Sequence, residues 1–426
     1  MRLTKLHIEN FRGIEKFEID FLDQFTVLIG ENGTGKTSVL DATAISMNNF
    51  LSELFTYFKI KQLEIHQIKE NDIRVQIFDE YKKPFFPVKI IINAIFNNES
   101  LKFDAVFENK NEIEGEIEVT TSWLVRDEQL NIFNGLQENT PLPLIAYYGT
   151  GRLWSNNEKV SYRQRGYRLD AYDNALNPNY SNRTFLNWYK TYEDEILKFK
   201  KDDSLLSAFK NAITTCVEEW SDIGFSFFDD DLKGLLTPQN GEPYWMLFGM
   251  LSDGYRNLIG MVADMAYRCI TLNPQLKENA VTETEGVVLI DEVGLHLHPK
   301  WQRKVVDDLK RTFPKVQFIA TTHSPFVVQS LKASELVNLD RISDVNPSDL
   351  TVEEVVVNLM GVPNKFSEEN AVQEALSKNY LLKVNELQKS NGSAEEILKE
   401  LDKMEHDISD PAVRAFLQMK KLQHTK

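Results

Sequence analysis

Apolar residues fall along this chain in three rhythms. The first is alternation. Met1-Arg2-Leu3-Thr4-Lys5-Leu6 and the continuation to Phe11 alternate and then break at Gly13, which predicts a strand turning into a second one near Phe17 to Phe21. Ile73–Phe78, Val88–Phe96, Leu101–Phe107 and Ile113–Thr121 alternate as well, separated by Pro84, Asn97-Asn98 and Asn109-Lys110-Asn111. Short polar breaks between alternating runs predict an antiparallel meander.

The second rhythm is the unbroken apolar run. Val27-Leu28-Ile29, Leu142–Tyr148, Gly286–Ile290 and Val316–Ala320 read as buried strands. The third is helical spacing, which covers Ser38–Ile45, Arg183–Glu219 and a long segment from Leu251 to Ile270. Four more helices are expected at Val352–Met360, Asn370–Gln388, Ala394–His406 and Ala412–Leu422, broken by Pro363, Asn391-Gly392-Ser393 and Pro411. The class is therefore α/β. The expected divisions are an N-terminal half at 1–154 with an antiparallel β-subdomain, an inserted helical lobe at 155–240, a second half at 241–340 and a helical tail at 341–426.

Bulk properties narrow the setting. At 426 residues the chain exceeds one ordinary core, and 42% hydrophobic with 26% charged residues is normal for a globular protein. The net charge of −16 confines any nucleic-acid contact to a local patch. Cys216 and Cys269 are the two cysteines, with no C-x-x-C pair, which fits a reducing cytosol and excludes a zinc ribbon. No signal-peptide core opens the chain and no apolar run reaches the ~18 residues of a membrane span, so the expectation is a cytoplasmic protein without membrane contact.

Between the strand at Val27–Ile29 and the helix at Ser38 lies Gly30-Glu31-Asn32-Gly33-Thr34-Gly35-Lys36-Thr37. This matches G-x-x-x-x-G-K-[ST], a loop whose backbone N–H groups and following helix N-terminus cradle a polyphosphate. Glycines let the backbone approach the phosphates, the Lys36 ammonium reaches their oxygens and the Thr37 hydroxyl ligates Mg²⁺. Asn32, Gly33, Thr34, Gly35, Lys36, Thr37 and Ser38 are the expected ATP contacts. The strand at Gly286–Ile290 ends in Asp291-Glu292, which suits Asp291 to the Mg²⁺ shell and Glu292 to orienting or deprotonating the attacking water.

Beside these two segments, other stretches of the chain resemble motifs of known ATPase families. The segment Asn10-Phe11-Arg12-Gly13 resembles the opening of RecF, Rad50 and OLD ATPases. Leu251-Ser252-Asp253-Gly254-Tyr255-Arg256 resembles the L-S-G-G-Q signature of ABC-type ATPases, which implies that Ser252 and Gly254 bind the γ-phosphate held by an opposite subunit. Thr321-Thr322-His323-Ser324-Pro325 resembles their switch-histidine segment, which implies a γ-phosphate contact from His323. Asp253 and Tyr255 depart from the signature, no aspartate occupies the D-loop at Leu295–Pro299, and no glutamine stands where Tyr148 precedes Gly149. The likeness covers about residues 1–340 and implies an ABC-type, SMC-like P-loop ATPase head.

Other readings compete at particular residues. His296, His298 and His323 together suggest zinc, yet each already has a place in the ATPase pattern. Arg163, Arg165 and Arg168, interleaved with Tyr162 and Tyr167, form a candidate nucleic-acid patch; the alternative is pairing with acidic neighbours.

The wording of these motifs looks most like the OLD and Septu ATPases of bacterial antiphage defence. OLD proteins carry a nuclease domain with a D-x-D, which the stretch holding Asp340, Asp344 and Asp349 lacks. The Septu likeness implies ATP-controlled partnership with a separate HNH nuclease of the PtuB type, and the likeness to the ABC-type signature implies a head-to-tail dimer as the working state. Two alternatives stay open: a DNA-repair ATPase of the RecF or Rad50 kind acting directly on DNA, and a nucleotide-locked scaffold with very little hydrolysis.

Overall fold

The computed structural model describes residues 1–58, 68–78, 81–109, 119–124, 139–151, 168–179, 184–238, 241–340, 345–362, 368–389, 394–408 and 411–424. In chain order, β1 (Arg2–Phe11) and β2 (Ile14–Asp20) form a hairpin, and β3 (Phe25–Ile29) leads through the glycine-rich loop into α1 (Lys36–Tyr57). β4 (Val75–Phe78) and β5 (Tyr81–Pro84) make a small ribbon. β6 (Val88–Phe96), β7 (Glu99–Asn109) and β8 (Val119–Leu124) then join the hairpin as an antiparallel sheet of order β2-β1-β6-β7-β8. The expected meander is present in β6, β7 and β8; the first predicted strand, Ile73–Phe78, instead pairs as β4 with β5 in the separate ribbon, and most of the fourth, residues 113–118, lies outside the described residues.

After β9 (Leu144–Tyr148), the chain forms α2 (Thr184–Phe199) and α3 (Ser204–Cys216). The helical spacing predicts both helices. They run on into a three-stranded antiparallel sheet, β10 (Trp220–Ser226), β11 (Asp231–Leu236) and β12 (Tyr244–Leu247), which the apolar pattern did not predict. These strands are short, and β11 is interrupted by Gly234, where a Cβ would lie 2.3 Å from the Trp220 ring. A glycine under an indole erases one apolar position from the alternation.

α4 (Asp253–Leu272) follows, then β13 (Gly286–Ile290), α5 (Val305–Thr312), β14 (Val316–Thr321) and β15 (Leu336–Asn338). The second large sheet has the order β15-β3-β14-β13-β9, and every neighbouring pair is parallel. Its strands explain the unbroken apolar runs: all residues of β3, β9, β13 and β14 are buried, as covered parallel strands require. β6, packed on one face only, alternates buried and half-buried positions instead.

α1 lies between the two sheets, against β1, β6 and β7 on one side and β13 and β14 on the other. This explains why so much of its surface is apolar; Phe50, for instance, meets Phe96 and Phe103 edge-on at 5.2 and 6.2 Å. The chain divides into two compact units, Met1–Val355 and Val356–Lys426. The second unit contains α6 (Glu368–Lys389), α7 (Ala394–Asp407) and α8 (Pro411–His424), closed over its own core of Tyr380, Val384, Leu401, Ile408 and Leu417. Among the described residues no helix is long and apolar enough to cross a membrane.

Candidate functional site

All strands of a parallel sheet end on one side, and loops leaving those ends converge there. Here β3 ends in the glycine-rich loop, β13 in Asp291-Glu292, β14 in Thr321-Thr322-His323, and β15 is followed by Asp340. Residues far apart in sequence therefore share one crevice.

The loop has the backbone that its glycines predict. Gly33 and Gly35 hold φ of +89° and +97°, a region that other residues enter at a cost, and a Cβ on Gly30 would lie 2.7 Å from Thr34 Oγ1. Lys36 is 7% exposed. Its ammonium donates to the carbonyls of Gly30 at 2.8 Å and Glu31 at 2.7 Å, so the side chain lies back along the loop. Burial pushes the Lys36 pKa down, against the pull of Glu292, Asp340 and Asp291. Asn32 and Gly33 are exposed at the loop tip, Thr34 folds back with its hydroxyl donating to Glu31 O at 3.0 Å, and Ser38 sits in the first turn of α1.

Thr37 and Asp291 meet directly. The Thr37 hydroxyl donates to the Asp291 carboxylate, 3.1 Å from Oδ2, bringing two hard oxygen donors together as a Mg²⁺ ion requires. Next to them, Glu292 holds φ of +58°, an uncommon backbone state for a glutamate. The His323 N–H donates to Glu292 Oε2 at 3.0 Å, and the His323 ring nitrogen Nε2 is 3.6 Å from Oε1. Burial raises the Glu292 pKa, while His323 pulls it back and Asp291 pushes it further up. A carboxylate in these surroundings can accept a proton closer to neutrality than an exposed one.

Two participants went unread in the sequence. Thr321 donates to Asp291 Oδ1 at 2.6 Å while its oxygen accepts from the Glu292 N–H at 2.9 Å, and Asp340 Oδ2 accepts from the loop's Glu31 N–H at 2.6 Å. Thr321 had a weak signal, a hydroxyl two residues before the histidine at a strand end. Asp340 had none, since its strand reaches β3 only through the fold.

Ser252 and Gly254 stand at the start of α4. Ser252 is the exposed N-cap of α4, and its side chain makes no capping hydrogen bond. Gly254 is buried against the loop after β13: a Cβ there would lie 2.4 Å from His296 O. Asn257 Nδ2 donates to Leu295 O at 3.2 Å, so the same loop fastens the start of α4 twice. His296 bends this loop with φ of +61°, and His298 Nδ1 accepts from Lys300 N at 3.3 Å as a helix cap. Among the described residues no three histidine, cysteine or acidic side chains gather to hold a metal ion.

Of the basic cluster, Arg163 and Arg165 lie outside the described residues. Arg168 donates to the carbonyls of Leu272 and Thr140 and to Asn273 Oδ1, tying together three segments of the core.

Known proteins resemble this chain over most of its length. A retron Ec83 probable ATPase from Escherichia coli is 26% identical over 405 residues, covering 79% of this chain and 71% of that protein. A Septu protein PtuA from Bacillus thuringiensis is 25% identical over 413 residues, covering 91% of this chain and 89% of its own length. A solved SMC head domain from Thermotoga maritima aligns over 82% of this chain and 97% of its own with a TM-score of 0.43 at 17% identity. The family model described as "AAA domain, putative AbiEii toxin, Type IV TA system" matches residues 25–329, which hold both halves of the crevice, and the chain belongs to that family.

Proposed function

We propose that this protein is an ATP-binding regulatory ATPase of antiphage defence, which closes head-to-tail on a second copy and controls an associated HNH nuclease. The observation that carries the ATP reading is the Thr37–Asp291 pair beside the buried Lys36, with Glu292 and His323 in contact next to it. The residues fit the ligand. Gly33 and Gly35 have the backbone needed to turn N–H groups inward, Lys36 is already held along the loop, and Thr37 with Asp291 would hold Mg²⁺. Bound there, the metal would supply positive charge against the phosphates.

The chain's own groups divide the remaining work. Thr321 holds Asp291 in place, and the His323 N–H orients the Glu292 carboxylate, which would take the proton of an attacking water at an Oε atom. Ser252, exposed and free of a capping duty to its own helix, is available to a nucleotide on a second copy. Relatives named as retron ATPases and Septu PtuA support the defence setting, and the PtuA likeness supports the nuclease partner.

The test is ATP-dependent assembly. Sedimentation of the chain with and without Mg-ATP, alone and with an HNH nuclease of the PtuB type, should show nucleotide-dependent self-association and co-migration of the nuclease. An unchanged monomer at saturating Mg-ATP would overturn the head-to-tail reading. Tight, salt-sensitive DNA binding without any nuclease would favour a repair role instead.

A further inference from the structure

We propose that Tyr147 and Tyr148 are positioning residues that couple the helix of the phosphate loop to the helix that begins at Ser252, inside one subunit. The inference rests on the reading of Gly30–Thr37 as the ATP site. Tyr147 and Tyr148 are the last two residues of β9, and consecutive strand residues point to opposite faces of a sheet. Each hydroxyl reaches a carboxylate on a different helix. Tyr147 donates to Asp41 Oδ1 at 2.8 Å, and Asp41 lies one turn beyond Thr37 on α1. Tyr148 donates to Asp264 Oδ2 at 2.7 Å, and Asp264 lies on α4, about three turns from Ser252.

Both carboxylates are themselves braced. Asp41 pairs with Arg12, whose Nε donates to Asp72 at 2.8 Å, while Asp264 accepts from Arg268 Nε at 2.8 Å. The second network is almost dry: Asp264 is 1% and Arg268 3% exposed. Arg268 also donates to Ala171 O, so this end of α4 has little freedom to slip against its surroundings.

The third contact of the pair is with the site. Tyr148 O accepts the Asp291 N–H at 2.8 Å, and Tyr148 lies opposite Ile290 in the parallel register of β9 and β13. A displacement of the β13 end on nucleotide binding therefore meets a residue that grips α4. Packing alone would be served by phenylalanine at both positions. A buried hydroxyl is kept at a cost unless it is partnered, and here two adjacent ones are aimed at carboxylates on the two helices. Such a yoke makes the N-terminus of α4 responsive to the phosphate loop before any second copy arrives.

Hydrogen exchange of the full chain tests this on a Ser252→Arg background, which removes closure on a second copy. With that background alone, Mg-ATP should slow exchange of the α4 amides by about fivefold or more, the scale of ordinary site coupling. Adding Tyr148→Phe should leave affinity for a fluorescent ATP analogue within about twofold and abolish the α4 response. Tyr147→Phe, acting on the other face, should do the same and decides the matter where Tyr148→Phe lowers the melting temperature enough to cloud the reading. Persistence of the response in the phenylalanine variants, or its absence from the background while the analogue binds, overturns the coupling. Failure of the unsubstituted chain to bind the analogue overturns the ATP-site reading itself, and the coupling with it.

Discussion

The Thr321 hydroxyl stands between Asp291 and Glu292, donating to the carboxylate of one at 2.6 Å and accepting from the backbone N–H of the other at 2.9 Å. A single fully buried threonine thus sets the orientation of both acidic residues at the end of β13. Thr321→Val keeps the shape and removes the hydroxyl. It leaves the Glu292 N–H without that acceptor, which should cost about 1–3 kcal/mol of stability. Thermal unfolding should show the loss, and Mg²⁺-dependent ATP binding should weaken with Asp291 no longer held.

Lys36→Ala should reduce ATP affinity by about 100-fold or more, since charge-assisted hydrogen bonds contribute about 1.5–3 kcal/mol each. The fold should survive, because among the described residues the ammonium donates to loop carbonyls, Gly30 O and Glu31 O. Equilibrium binding of a fluorescent nucleotide checks the first statement and circular dichroism the second.

Glu292 carries two opposite expectations. Burial raises its pKa, so between the ordinary glutamate range and the raised value the native state binds the extra proton. Stability from this group is therefore lost as pH rises through that window, and Glu292→Gln should melt higher than the unsubstituted chain at neutral pH. As a proton acceptor the residue works only when ionised, so hydrolysis should fall as pH drops through that raised pKa, above the usual glutamate range. In the glutamine variant turnover should drop by about 10²–10⁴-fold with ATP affinity retained.

At the start of α4 two neighbouring substitutions should behave differently. Ser252→Arg meets no capping bond in its own subunit and should leave the melting temperature nearly unchanged, yet weaken ATP-dependent self-association by about 100-fold. Gly254→Ala puts a Cβ 2.4 Å from His296 O, a backbone atom, and should destabilise the fold itself by about 1–3 kcal/mol. Differential scanning calorimetry with sedimentation separates the two.

Arg168→Ala should act on stability. The guanidinium donates to Thr140 O at 2.6 Å and Asn273 Oδ1 at 3.2 Å, as well as to Leu272 O, so its loss should cost about 2–4 kcal/mol. DNA affinity and its salt dependence should not change with this substitution, which filter binding over a range of salt would measure.

What the amino-acid sequence determined by itself is local. The glycines, Lys36 and Thr37 are adjacent, so their spacing alone specifies a turn that accepts phosphates, and the apolar runs ending at Asp291 and near His323 mark buried strands by composition. The alternation of β1, β6 and β7 and the helical spacing of α1, α4 and the tail were equally readable, because each is set by neighbours a few positions away. Tertiary structure alone decided what crosses between strands. The parallel order β15-β3-β14-β13-β9 brings Asp340 to the loop's Glu31 and Thr321 to Asp291, and the packing of α4 brings Asp264 to Tyr148, pairs with no fixed spacing in sequence. The same holds for Gly254, which reads as a ligand-binding glycine in the motif and which the fold also requires, because His296 leaves no room for a side chain. Short-range patterns record what a segment is; only the register of strands and the packing of helices determine which segments meet, because those depend on burying the whole apolar surface at once.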